Sequence, residues 1–129
     1  MPHPSWNESY ASGQLPWDTG QPDPLLVEFV ASGAVTPCPT LEIGAGTGTN
    51  AIWMAERGFD VLGVDVAPLA IERAQAKVEG RTLNCRFAVW DILAAPLLVR
   101  PCNRAFSVCR GLRLASALQP RTAASRFVL

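Results

Sequence analysis

The stretch that decides the fold is "LEIGAGTGTN", which runs from Leu41 to Asn50. Three glycines stand at alternate positions after a short apolar run, and one acid, Glu42, precedes the first of them by two residues. Glycine is costly inside a regular strand or helix because its backbone loses the most freedom on folding. Glycine at this density therefore indicates a turn from a strand into a helix, where bare backbone amides approach a ligand.

The segments on either side of this turn alternate between strand and helix patterns. Short apolar strands are predicted at "TLEI", "FDVLGVD" and "LNCRFAVWD", and helices at "TNAIWMAERG" and "APLAIERAQAKVEG". A further amphipathic helix, "PLLVEFVASG", precedes the first strand. Crossovers of this length require the strands to pair in parallel. The sequence therefore predicts an α/β fold with a Rossmann-like parallel sheet and flanking helices.

The glycine-rich turn and two acidic residues are expected at one edge of that sheet. Asp65 ends the second predicted strand and Asp91 ends the third. Right-handed crossovers bring the carboxyl ends of parallel strands together, and open α/β sheets bind their ligands there. An acid at the position of Asp65 accepts both hydroxyl protons of a ribose. Capping of the helix that begins near Pro68 is the alternative role for this residue.

Two classes of nucleotide-binding protein share this layout. Read from Gly46, "GTGTNA" satisfies the G-x-G-x-x-A pattern of NAD(P)-binding oxidoreductases. Read from Glu42, "EIGAGTG" matches the E/D-x-G-x-G-x-G signature of class I S-adenosylmethionine-dependent methyltransferases, which this stretch resembles. The second interpretation also uses Gly44 and gives Glu42 a role. A carboxylate there repels a pyrophosphate but suits the cationic amino-acid end of S-adenosylmethionine. A fragment of an NAD(P)-binding oxidoreductase remains the alternative.

The resemblance extends along about residues 10–95. The stretch "LEIGAGTGTNAIWMAERGFDVLGVDVAPLAIERAQAK" is similar to the core of the thiopurine methyltransferase/tellurite-resistance methyltransferase-like group, and "PWDTG" is similar to the arm that precedes that core. The resemblance implies an enzyme that transfers a methyl group from S-adenosyl-L-methionine to a small-molecule acceptor. No residue stands out as a catalytic base, and in-line transfer to a thiolate depends mainly on positioning.

The resemblance also implies a set of cofactor contacts. The methionine and ribose would lie against the turn and the acid before it, that is, against Glu42, Gly44, Ala45, Gly46 and Gly48. Asp65 would accept the ribose hydroxyls, and Val66 would lie on the adenine. Asp91 would accept from the adenine amino group, with Ile92 beside the ring.

The arm is expected to contribute one further contact. Trp17, with Asp18, would cover the methionine end of the pocket, although packing of the arm onto the sheet is an equal alternative for Trp17. Trp6 and Tyr10 are interpreted as arm packing. On this basis residues 1–24 form an irregular arm, and residues 25–96 form the cofactor-binding core.

The composition of the chain limits which other kinds of protein and site are expected. The 129 residues allow one modest domain, and a hydrophobic content of 49% is enough for a core. The four cysteines include no C-x-x-C pair and His3 is the only histidine, so a metal site lacks its usual ligands and reduced thiols are expected. No secretory signal is visible, and no apolar run approaches the roughly 18 residues of a membrane helix. We therefore expect a cytoplasmic protein without a membrane partner.

Residues 97–129 do not continue these patterns. Five basic and all eleven acidic residues stand before position 97, whereas six arginines and no acid follow it. A basic stretch can bind nucleic acid, but we interpret this one as a frameshifted or otherwise aberrant end of a methyltransferase, and no nucleic-acid partner is expected. A genuine basic tail is the alternative.

Local patterns in this region are weak. "RAFSV" predicts a short strand, and "LRLASALQ" predicts two helical turns. Residues 97–129 leave no room for strands five to seven of a class I methyltransferase sheet. A non-catalytic, cofactor-binding fragment with one unpaired sheet edge is therefore the second hypothesis for function.

Overall fold

The computed structural model describes residues 5–94 and three short strands that follow them along the chain. The helices are α1 (Trp6–Ser12), α2 (Pro24–Ala31), α3 (Thr49–Ala55) and α4 (Pro68–Val78). The strands are β1 (Pro39–Ile43), β2 (Asp60–Asp65), β3 (Cys85–Val89), β4 (Ser107–Cys109), β5 (Leu112–Leu114) and β6 (Phe127–Val128).

Strands β1, β2 and β3 form the parallel sheet that the sequence predicts, with α3 and α4 as the crossovers. The order in the sheet is β3-β2-β1-β6. Ile43 lies opposite Val64, and Asp65 lies opposite Val89. The carboxyl ends of the three strands therefore meet at one edge, and the predicted α/β fold with a Rossmann-like parallel sheet is confirmed.

The second edge of β1 is paired rather than open. Strand β6 runs parallel to β1, with Thr40 opposite Phe127 and Leu41 opposite Val128. The expectation that a three-stranded sheet leaves this edge unpaired is therefore wrong over these two residues, because a strand from much later in the chain adds to it.

Strands β4 and β5 form an antiparallel pair beyond position 97. The strand predicted within "RAFSV" is present, since β4 begins at Ser107. The helical turns predicted from "LRLASALQ" are wrong for Leu112–Leu114, because pairing with β4 outweighs the local helical spacing. Apart from β4, β5 and β6, residues 97–129 lie outside the described residues, and the hypothesis of a shifted reading frame stays untested.

One aromatic ring joins the glycine-rich turn to the sheet. Phe87 of β3 is buried, and its ring fills the space in front of two glycines. A Cβ placed on Gly48 would lie 2.6 Å from Cζ of Phe87, and a Cβ on Gly63 would lie 2.7 Å from its Cδ1. Real Cβ atoms do not approach so closely, so packing against Phe87 by itself requires glycine at both positions.

The arm contains a helix where the sequence predicted irregular structure. Helix α1 begins with a capping box, in which Oγ of Ser5 accepts the Glu8 N–H at 3.3 Å and Oε2 of Glu8 accepts the Ser5 N–H at 2.7 Å. Gly13 ends the helix in the left-handed conformation. Reciprocal capping satisfies two backbone donors that a short helix otherwise leaves open. The expectation of an irregular arm is therefore wrong for Trp6–Ser12.

The arm is fastened to the core by hydrogen bonds from both of its ends. Oδ1 of Asn7 accepts the Leu69 N–H at 2.9 Å, and the Arg73 guanidinium donates to the carbonyl of Tyr10 at 2.9 Å. Farther along, the Asp23 N–H donates to Oδ1 of Asn50 at 2.9 Å. These bonds hold the arm against the start of α4 and against α3, on either side of the glycine-rich turn.

Candidate functional site

The glycine-rich turn occupies residues 44–48, between β1 and α3. The N–H groups of Gly44 and Ala45 both donate to the carbonyl of Val64, at 2.8 and 3.0 Å. The Gly48 N–H donates to the carbonyl of Ala45 at 3.0 Å. The turn thus folds back onto the carboxyl end of β2 and is fixed by the backbone itself.

The three glycines of the turn differ in what faces them. A Cβ on Gly46 would lie 2.9 Å from the hydroxyl oxygen of Tyr10, and Gly48 faces Phe87 as described above. Gly44 is exposed, and a Cβ placed there would find no atom within 4 Å. Internal packing therefore accounts for the bare backbone at Gly46 and Gly48. Open space lies in front of Gly44. The sequence alone does not show that this glycine differs from Gly46 and Gly48.

Asp65 connects the turn to the beginning of α4. Its carboxylate is buried, with Oδ2 accepting the Gly46 N–H at 2.8 Å and Oδ1 accepting the Ala67 N–H at 2.9 Å. Ala67 is the N-cap residue of α4 and makes no side-chain cap, so Asp65 supports the entry to the helix without being its cap. Each carboxylate oxygen can accept a further hydrogen bond. The ribose contact of Asp65 therefore stays a prediction that this geometry permits.

Glu42 lies buried inside β1, beside Gly63 of β2. Its charge acts on the neighbouring Cys85. Burial and, to a smaller extent, the Glu42 carboxylate raise the pKa of the Cys85 thiol to about 11, although Arg81 opposes the rise. Cys85 is therefore a protonated, structural thiol at neutral pH rather than a nucleophile.

This shift leads to a prediction for thiol labelling. We expect Cys85 of the folded chain to resist iodoacetamide at pH 8, while the half-buried Cys38 reacts faster; peptide mapping by mass spectrometry separates the two. Since the pKa in the folded state lies above its ordinary 9.0, the contribution of Cys85 to stability is full below about pH 9 and declines as the pH rises towards 11. Rapid labelling of Cys85 in the folded chain would contradict its burial.

The carboxyl ends of β2 and β3 carry exposed apolar side chains beside the acids. Val66 is 44% exposed and Trp90 is 37% exposed, and Ile92 is half-buried. The Trp90 N–H donates to the carbonyl of Asp65 at 2.9 Å, which keeps the two strand ends together. This edge therefore offers an apolar strip, composed of Val66, Trp90 and Ile92.

Asp91 already has local hydrogen bonds in the structure. Its side chain is exposed, and Oδ1 accepts the N–H groups of Leu93 and Ala94, at 2.9 and 3.3 Å. It thus supports the turn that follows β3. Its predicted contact with an adenine amino group is not contradicted by these bonds, because a carboxylate has a second oxygen.

Trp17 packs within the arm. Its Nε1 donates to the Tyr10 hydroxyl at 3.5 Å, and its ring meets the Trp6 ring edge to face at 5.7 Å. Tyr10 is buried, as the interpretation of arm packing requires. Asp18 accepts a hydrogen bond from the Thr47 hydroxyl at 2.9 Å, and its predicted place over the methionine end of the pocket stays a prediction.

Two residues that the sequence did not single out join this contact. Thr47, between two of the glycines, also accepts a hydrogen bond from Nζ of Lys77 in α4 at 2.9 Å. Thirty positions separate Thr47 from Lys77, so no local pattern pairs them. Only the docking of α4 beside the turn reveals the contact.

The described residues contain neither a metal centre nor a membrane span. Across residues 5–94 and the short strands beyond, no three His, Cys, Asp or Glu side chains converge as metal ligands. In the same part of the chain, no helix combines the length and the apolarity needed to cross a bilayer.

A comparison with known families decides between the interpretations of the turn. The family model of thiopurine S-methyltransferase matches residues 1–99. The chain belongs to the thiopurine S-methyltransferase family. The resemblance stated from the sequence is thereby confirmed, and the oxidoreductase alternative is not favoured.

Relatives of this thiopurine S-methyltransferase family member match the same region. It is 35% identical over 72 residues to probable thiol methyltransferase 2 of Arabidopsis thaliana, covering 56% of this chain and 32% of that protein. It is 38% identical over 78 residues to the 2-heptyl-1-hydroxyquinolin-4(1H)-one methyltransferase of Mycobacteroides abscessus, covering 60% and 34%. The chain thus spans about a third of the length of these relatives.

A solved structure supports the fold. The crystal structure of TehB from Haemophilus influenzae superposes with a TM-score of 0.53 at 28% identity, covering 68% of this chain and 29% of TehB. TehB is described as a probable S-adenosyl-L-methionine-dependent methyltransferase. The family member described here therefore shares the sheet and crossovers of that class.

Proposed function

We propose that this chain is an S-adenosyl-L-methionine-dependent methyltransferase that acts on a small-molecule acceptor. The observation that carries the proposal is the E-x-G-x-G-x-G turn of a thiopurine S-methyltransferase family member, folded at the carboxyl edge of a parallel sheet beside two buried acids. The named relatives act on thiol and hydroxyquinolinone compounds, which supports a small molecule as the acceptor class.

The described residues fit this cofactor in shape and charge. The open space in front of Gly44 admits a ligand against the backbone, and Glu42 and Asp65 supply negative charge next to it. A cationic amino-acid group and a neutral ribose suit such a site, whereas a pyrophosphate does not. The apolar strip beside Asp65 offers a surface for the adenine ring.

The residues assigned to the cofactor follow from this fit. Glu42, Gly44 and Ala45 would lie along the methionine and ribose, with Gly46 and Gly48 shaping the turn from behind. Asp65 would accept from the ribose hydroxyls through the remaining capacity of its oxygens. The adenine subsite and the cover of the methionine end would be formed by the other predicted residues, Val66, Asp91, Ile92 and Trp17.

Bound S-adenosylmethionine supplies a methyl group that its sulfonium makes electrophilic. The task left to this chain is to hold the acceptor in line with that methyl group and to keep water away. The arm packs against the turn through Tyr10 and Asp18, so it is placed to shield the cofactor from solvent.

Calorimetric titration tests this proposal. We expect S-adenosylhomocysteine to bind the full chain with one site per chain and NADH to give no heat of binding, because the Glu42 carboxylate disfavours a pyrophosphate. Binding of NADH alone would contradict the proposal and restore the oxidoreductase alternative. Binding of S-adenosylhomocysteine without methyl transfer to any of a panel of thiols would favour a cofactor-binding module without turnover.

We also propose a cytoplasmic location. Cys38 and Cys85 are thiols in the structure, which supports a reducing compartment. Neither a nucleic acid nor a membrane surface is proposed as a partner.

A further inference from the structure

A single hydroxyl group connects the glycine-rich turn to the arm and to α4. Thr47 is buried, with a 6% exposed surface. Its Oγ1 donates to Oδ2 of Asp18 and accepts from Nζ of Lys77, both at 2.9 Å. A hydroxyl has one hydrogen to donate and lone pairs that accept. Thr47 therefore donates its single O–H to the Asp18 carboxylate and accepts the bond from Lys77 with a lone pair.

The three residues form a bridge between opposite charges, which we call the threonine bridge (Asp18, Thr47 and Lys77). Hydrogen bonds with an ionised partner are about twice as strong as those between neutral groups. Asp18 is half-buried and Thr47 is buried, whereas Lys77 is exposed, so solvent screens the bond between Asp18 and Thr47 less than it screens an exposed ion pair. The bridge therefore differs from the surface pairs of the chain, such as Arg86 with Asp60.

A second contact fits the arm to the same turn. The Tyr10 hydroxyl occupies the space where a side chain on Gly46 would begin, 2.9 Å from the position of a Cβ. Tyr10 precedes the threonine bridge along the arm, and Gly46 is adjacent to Thr47. The arm thus lies in front of the turn at Gly46 and is hydrogen-bonded to it at Thr47, so movement of Asp18 away from the turn breaks the bridge.

We propose that Thr47 and Lys77 are positioning residues that lock the second half of the arm, residues 14–23, onto the glycine-rich turn. This lock would raise the affinity for the cofactor. The bridge ties Asp18 of the arm to Thr47 of the turn and so keeps the neighbouring Trp17 close to the turn. The effect on affinity rests on the proposed function, whereas the lock itself does not. A purely local role in folding is the competing explanation.

Hydrogen–deuterium exchange of the full, cofactor-free chain tests the lock directly. In Thr47→Val the methyl group replaces the hydroxyl, so we expect amides of residues 14–23 to exchange about tenfold faster, the range for loss of a charged hydrogen bond. Thr47→Ser keeps the hydroxyl and should restore slow exchange. Equal exchange in all three chains would overturn the proposal, and so would a uniform rise that includes β2.

The single lysine of the chain provides a spectroscopic test. Lys77 is the only lysine, so a chain labelled with ¹⁵N-lysine gives one side-chain ammonium signal. We expect this signal to be visible at neutral pH in the parent chain and in Thr47→Ser, and to be lost to solvent exchange in Thr47→Val, which removes the acceptor of the Lys77 ammonium group. A signal that is insensitive to Thr47→Val would overturn the bridge.

Calorimetry with S-adenosylhomocysteine then tests the link to the cofactor. We expect Thr47→Val to weaken binding about tenfold, Thr47→Ser to restore it, and Asp18→Ala to add nothing to Thr47→Val because both remove the bond between residues 18 and 47. Unchanged affinity in Thr47→Val overturns the positioning role. If the parent chain itself does not bind, the proposed function fails, while the exchange experiment still decides the lock.

Discussion

Replacing Gly48 with alanine is expected to destabilise the chain by about 3 kcal/mol or more, a large part of the 5–15 kcal/mol that holds a typical domain folded. The backbone at Gly48 has φ of +82°, which costs other residues about 1–2 kcal/mol. The new Cβ would also lie 2.6 Å from the Phe87 ring and 3.0 Å from Cβ of Ala74. Neither neighbour is a flexible chain end, so overpacking adds about 1–3 kcal/mol.

Urea unfolding measures this effect, and Gly44→Ala is the matched control. Gly44 has a similar φ of +73° but no atom within 4 Å of a Cβ, so only the conformational cost of about 1–2 kcal/mol applies. Gly44→Ala should instead weaken S-adenosylhomocysteine binding, because its methyl group enters the open space. Equal destabilisation in the two variants would contradict the packing argument, and full affinity in Gly44→Ala would remove Gly44 from the site.

Asp65→Ala is expected to reduce the affinity for S-adenosylhomocysteine by about 100-fold or more and to destabilise the fold as well. The loss of affinity follows if Asp65 accepts the ribose hydroxyls, since a hydrogen bond to a charged group contributes about 1.5–3 kcal/mol. The loss of stability follows from the structure, because the Gly46 and Ala67 N–H groups both lose their acceptor. Each buried donor left without a partner costs about 1–3 kcal/mol.

Calorimetry and urea unfolding on the same preparations separate these two effects. Asp60→Ala is the matched control, because Asp60 begins the strand that Asp65 ends and its side chain forms an exposed pair with Arg86 at 3.4 Å. Such a surface pair contributes at most about 1 kcal/mol, and its loss should leave binding unchanged. If Asp65→Ala is destabilised but binds with unaltered affinity, Asp65 fastens the turn and does not contact the ribose.

The central part of the fold could be predicted because its signals are local. The apolar runs that became β1, β2 and β3, and the helical spacing of α3 and α4, lie within segments of a few residues, and the structure has all five elements. The meeting of Gly44 and Asp65 at one edge then follows from parallel pairing. The capping box of Ser5 and Glu8 was an equally local signal, and it would have predicted α1.

The remaining features depend on contacts between distant residues. No periodicity indicates that β6 would pair with β1, or that a hairpin would override helical spacing at β5. The packing roles of Gly46 and Gly48 depend on Tyr10 and Phe87, which lie far from them in sequence. The sequence therefore predicts a turn without side chains at three positions. Only the structure shows that, of these three glycines, Gly44 is the one with open space in front of it.

The ring of Phe87 ties changes in the sheet to changes in the turn. It fills the space of two absent side chains, one at Gly48 and one at Gly63. A smaller residue at position 87 would remove the nearest obstacle at both glycines, but Ala74 would still lie 3.0 Å from a Cβ at Gly48 and Ala45 would lie 2.9 Å from one at Gly63. The glycine-rich turn, whatever it binds, is thus also constrained by the packing of the core against it.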